Sequence, residues 1–164
     1  MRNLVCFIFM VLFLSGCAGY RPLYGTAPDG QNVAASLSAI SVPEQRTRTG
    51  QLLRNEVLSG LGSPVASQYE LRMTITEYTG GVSATPGTVV TRKRYDLSVH
   101  YELIELASGK SLTAGKSFAN VSYDTVREPI ADLQSAENAR VRSTTEVGQD
   151  MRQRIAAYMA TRKK

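Results

Sequence analysis

The chain has 164 residues, two cysteines, one histidine and a formal net charge of +5. That length suits a single domain of common size, and so small a supply of thiol and imidazole excludes a zinc finger or a disulfide scaffold. The charge excess is mild: it fits anionic lipid headgroups as partners or simple solubility, and the envelope address read below argues against nucleic acid.

The first element is Leu4 to Leu14, eleven apolar residues behind Arg2. A membrane-spanning helix needs about 20, so the run reads as the apolar core of a secretory signal peptide over residues 1–16. Its exit is Leu14-Ser15-Gly16-Cys17, which resembles the bacterial lipobox. That resemblance implies a diacylglyceryl group on the Cys17 thiol, cleavage before it, and an N-acyl chain such as palmitate on the new amine. Each buried methylene contributes about 0.8 kcal/mol and two chains suffice for stable anchoring. The mature protein is therefore expected to sit on a membrane without spanning it. Ala18 stands where an inner-membrane retention signal would have aspartate, which favours the outer membrane and its periplasmic face. Cleavage also removes Cys6 and Arg2, so the charge becomes 18 − 14 = +4 and no thiol remains for a disulfide, a metal or a nucleophile.

Residues 17–35 are rich in Gly, Pro, Ala and Asn and read as a flexible tether. The remainder, 36–164, reads as one domain. Ser36 to Pro43 alternates weakly and is expected to be a first strand. In Thr47 to Gly62, Leu53, Val57 and Leu61 recur at i, i+4 and i+8, with Leu52 and Leu58 widening the stripe, which predicts an amphipathic helix stopped by Gly62 and Pro64. Tyr69 to Tyr78 places Tyr69, Leu71, Met73 and Ile75 on one face and Glu70, Arg72, Thr74 and Thr76 on the other. Thr79 to Thr88 reads as a mobile hairpin tip.

Between Val89 and Leu106, Tyr95, Leu97, Val99, Tyr101 and Leu103 are expected inward, with Arg94, Asp96, Ser98, His100 and Glu102 outward. Residues 107–110 predict a tight turn and Ser111 to Tyr123 the return strand, with a bulge expected at Gly115. From Ala131 to Thr161, behind Pro129, Leu133, Ala136, Arg140, Thr144, Val147, Met151, Ile155 and Tyr158 recur at helical steps. Gly148 costs about 1 kcal/mol relative to alanine, so a kink or break is expected there. The fold class is α+β: order β-α-β-β-β-α, two helices on one face of a four-stranded, mostly antiparallel sheet whose other face is polar and open.

The stretch CAGYRPLYG, residues 17–25, resembles the start of the mature lipopolysaccharide-assembly lipoproteins (LptE family) of alphaproteobacteria, with Ala18 inserted and Tyr20 in place of Phe. GQLLRNEVLSGL resembles that family's first helix and YELRMTI its second strand. The resemblance implies a lipoprotein that plugs and helps assemble the LptD β-barrel and contacts lipopolysaccharide during its transport to the cell surface. Tyr20 and Tyr24 then suit a tether along a barrel wall or inner leaflet, or are ordinary surface tyrosines. Other anchored small α/β domains fit the residues too, namely the auxiliary lipoproteins of phospholipid ABC transporters and secretin pilots.

Arg92-Lys93-Arg94, with Arg72 on the neighbouring strand, is the candidate lipopolysaccharide-binding patch, since Arg offers a fork and Lys a compact charge to phosphate. The alternative is a charged strand end that discourages edge pairing. The basic residues Arg152, Arg154, Arg162, Lys163 and Lys164 suit a helix C-terminus or anionic lipid. His100 lies between Ser98 and Glu102 as a solvated face residue, because i and i+2 neighbours stand some 7 Å apart and do not form a nucleophile–base pair. No P-loop or nucleophile elbow appears. The expectation is a protein without enzymatic activity, cofactor or metal.

Overall fold

The structure is a computed structural model that describes residues 33–62, 66–82, 92–125 and 128–162. Its elements are α1 (Val33–Ser38), β1 (Ile40–Ser41), α2 (Arg48–Leu61), β2 (Tyr69–Gly81), β3 (Arg92–Glu105), β4 (Ser111–Asp124) and α3 (Pro129–Thr161). The sheet order is β1-β2-β3-β4, with β1 parallel to β2 and the other pairs antiparallel. This is the expected two-layer α+β arrangement, with one helix more than the sequence reading supplied.

The addition lies where a first strand was expected. Val33 and Leu37, four residues apart, are both buried on one side of the short helix α1, which takes in the last three residues of the stretch read as tether. Only Ile40 and Ser41 pair with the sheet, opposite Tyr69 and Glu70. The Ala39 carbonyl accepts from the backbone amides of Gln68 and Tyr69 at 2.9 and 3.1 Å, which docks this segment.

Helix α2 keeps its predicted stripe: Leu53, Val57 and Leu61 are buried. Thr47 caps its start, accepting from the Gly50 amide at 3.1 Å. Gly62 ends it at φ +86°, a backbone state that favours glycine. Strands β2 and β3 alternate as expected, but β2 runs on to Gly81, so Thr79, Gly80 and Gly81 pair with Tyr95, Arg94 and Lys93 instead of forming a loop. The remaining tip residues of that reading, 83–88, lie outside the described residues.

Gly115 does not bulge the sheet. It pairs in register with Tyr101, and the irregularity falls between Leu103 and Ile104, beside the turn. A Cβ at Gly115 would stand 2.5 Å from the Tyr101 phenol oxygen, so the glycine makes room for that ring.

Helix α3 has 33 residues and continues through Gly148, a length of about 50 Å. Gly148 is buried at the crossing with α2, where a Cβ would meet Glu56 Cγ at 2.5 Å. Across this close approach Arg152 bonds the Glu56 carboxylate at 3.1 Å and the Glu56 carbonyl at 3.2 Å. The position that looked like a weak point is a packing contact. The predicted stripe is kept from Thr144 through Val147, Met151 and Ile155, but Leu133 is 71% exposed. In the first helical turns Ile130 and Leu133 are exposed, and of the apolar period there Ala136 packs against the core. Leu53, Leu71, Leu97, Leu103, Met151 and Ile155 form the centre of the core between helices and sheet, each contributing about 1.5–3 kcal/mol by burial.

Candidate contact face of the sheet

The even-numbered residues of β2, of β3 up to Glu102 and of β4 from Ala114 onward point away from the helices. Register sets them in rows across the sheet: Arg72–Glu102–Ala114, Thr74–His100–Lys116, Thr76–Ser98–Phe118, Tyr78–Asp96–Asn120 and Gly80–Arg94–Ser122. Among the described residues this face carries Arg72, Arg92, Arg94 and Lys116 against Glu70, Asp96, Glu102 and Asp124, so its formal charges balance. The three arginines already lie beside carboxylates: Arg72 on Glu70 at 2.5 Å, Arg94 on Asp96 at 2.8 Å and Arg92 on Asp124 at 3.0 Å.

The basic patch read from the sequence is dispersed by this geometry. Arg92 and Arg94 share the open face at the tip end, while Lys93 points to the helix side, where its Nζ lies 3.5 Å from Asp132 of α3. Arg72 faces Glu102, eight positions along β3 from Arg94, roughly 27 Å away at strand rise. It is not a helper to the tip. Thr74 and Lys116 flank His100 across the sheet. Cys17, Tyr20, Tyr24, Lys163 and Lys164 lie outside the described residues. The late-helix arginines find carboxylates more than a helix dipole: Arg152 on Glu56, Arg154 on Asp150 at 2.8 Å and Arg162 on Glu105 at 2.9 Å.

Two features were not drawn from the sequence. Tyr78 and Phe118 stand on the open face, 65% and 66% exposed. Counting the alternation back from the 107–110 turn puts Phe118 on the core side; the irregularity between Leu103 and Ile104 moves it to the open face, opposite Ser98. On the helix side, the tip end of the sheet is tied by a polar network. Thr49, in the first turn of α2, donates to Glu77 at 2.7 Å; Tyr95 donates to the same carboxylate oxygen; and Arg140 of α3 lies 3.9 Å from it and 5.8 Å above the Tyr95 ring. Partial burial works against the Glu77 charge, but hydrogen bonds from Thr49 and Tyr95 and the Arg140 charge outweigh it and hold the carboxyl below its ordinary range. Burial first, then the bond to Glu77, pushes the Tyr95 phenol up. These residues lie on four elements, so no local spacing announces them.

With this geometry the chain can be set beside known proteins. No family model matches it, and no curated protein matches its sequence. Its structure is similar to that of a protein described as a lipoprotein from Caulobacter crescentus CB15, with 22% identity and a TM-score of 0.68 over 79% of this chain and 97% of that one. The fold is one found in bacterial lipoproteins. A minor lipoprotein from Acinetobacter baumannii has 15% identity and a TM-score of 0.55, covering 72% of this chain and 88% of that one. A protein described as lipoprotein B from Nitrosomonas europaea has 12% identity and a TM-score of 0.55 over 74% and 83%. Among the described residues, no helix is long and apolar enough to cross a membrane.

Proposed function

We propose that this chain is an outer-membrane lipoprotein, held at the periplasmic face by acyl chains on Cys17, that plugs and helps assemble an LptD-type β-barrel and contacts lipopolysaccharide in transit. One coincidence supports the reading most: a lipobox cysteine followed by the tether motif stands ahead of a fold shared with proteins described as lipoproteins. In this reading the protein works by contact and carries no catalytic residue, cofactor or metal. Phosphate contact narrows from the four basic residues of the sequence reading to Arg92 and Arg94, since Lys93 faces α3 and Arg72 stands far down the sheet. Each would have to exchange its aspartate for a phosphate oxygen, a trade that favours a multiply charged ligand.

Affinity isolation of the full chain from detergent-solubilised envelopes tests this. The expected result is a large β-barrel recovered with it, and barrel assembly that fails when the chain is depleted. A chain recovered without any barrel, while the barrel assembles normally in its absence, would overturn the proposal. Altered phospholipid balance on depletion would point to a phospholipid transport system instead.

A further inference from the structure

The open face has a second property besides its balanced charge. A Cβ at Gly80 would lie 2.8 Å from Cε1 of Tyr78. The missing side chain thus lets the Tyr78 ring lie down on the sheet, with its opposite face left to solvent. Beside it, across β3, Asp96 is fixed from two sides: Arg94 Nε donates to one carboxylate oxygen at 3.0 Å and the Asn120 amide donates to the other. In the next row Thr76 and Ser98 lead to Phe118 on β4, two strand spacings from β2, or roughly 10 Å. Two bare aromatic rings therefore bracket a floor of hydroxyl, amide and carboxylate groups.

The chemistry of that floor selects a ligand class. A simple anion gains little where the arginines already have carboxylates beside them. An acyl chain would strip water from Asp96, Asn120 and Ser98 without replacing their hydrogen bonds. A sugar ring meets both demands, because its C–H face lies against an aromatic ring while its hydroxyls exchange hydrogen bonds with carboxylate, amide and hydroxyl partners. We infer that the sheet face between Tyr78 and Phe118 binds saccharide and, resting on the function proposed above, that its occupant is the sugar portion of lipopolysaccharide.

The test uses the full chain in detergent, with delipidated and dephosphorylated core oligosaccharide as probe. Separate arms use lipid A, muropeptides and inorganic phosphate. Hydroxyl-radical footprinting should show Tyr78 and Phe118 protected by the oligosaccharide alone. Tyr78→Ala and Phe118→Ala should each weaken its binding about three- to tenfold. Binding of lipid A or phosphate alone, with no protection by oligosaccharide, overturns the inference and leaves the proposed function standing. Equal protection by muropeptides overturns the choice of lipopolysaccharide as source. Failure to recover a barrel, with oligosaccharide protection intact, removes the proposed function and keeps a saccharide face.

Discussion

The two faces of one sheet differ more than any two elements of this chain. Residues 71, 97, 99 and 103 are sealed under α2 and α3, while their immediate neighbours 72, 96, 98 and 102 lie on the open face, Arg72 beside Glu70 and Asp96 beside Arg94. The difference teaches that stability and contact are stored in opposite phases of the same strands. A change in one phase should register in unfolding, and a change in the other only in binding.

The largest effect expected on that comparison is Leu71→Ala against Thr74→Ala. The first should cost about 2–5 kcal/mol in denaturant unfolding and the second no more than about 0.5 kcal/mol. Equal losses would break the division into a core face and a contact face. Next comes Gly148→Leu, which removes a residue of poor helix propensity yet forces a side chain into the α2–α3 crossing. A loss of about 1–3 kcal/mol is expected, and a gain in thermal midpoint would mean the helices do not meet as closely as described.

Acid should act through the helix side. Because the folded state holds Glu77 below its ordinary range, its contribution is present above the unfolded carboxylate pKa, about 4.3. It is lost as pH falls through the lower folded value. Asp150 behaves alike: burial opposes its charge, and bonds from Arg154 and Ser117 prevail. Glu77→Gln should therefore flatten the fall in stability below about pH 4.3 in acid titrations followed by circular dichroism. An unchanged acid limb would remove Glu77 from the network. The smallest effect is expected from Arg92→Glu and Arg94→Glu on the open face. Exposed ion pairs contribute little, so unfolding should shift by no more than about 0.5 kcal/mol while lipopolysaccharide binding falls.

Much of this division was legible from period alone. Alternation in β2 and β3 placed Leu71, Leu97, Val99 and Leu103 correctly, and the i, i+4 spacing placed Leu53 and Val57. What period cannot carry is long-range register. Arg72 and Arg94 look like neighbours until pairing sets their rows eight positions apart. The Glu77–Tyr95–Arg140 network joins three elements. Gly148 and Gly115 looked like defects because propensity describes a lone helix or strand, whereas both positions are set by a neighbour's side chain. Of the six residues of α1, the last three, 36–38, were mistaken for strand and the first three, 33–35, for tether, because so short a stretch satisfies either period.

The proposed function is that of a barrel-bound lipoprotein that serves lipopolysaccharide export. Depleting the chain and fractionating the envelope tests that most directly. Lipopolysaccharide retained in the inner membrane, with the barrel misassembled, is the result predicted. Lipopolysaccharide reaching the cell surface at the normal rate in depleted cells would contradict it.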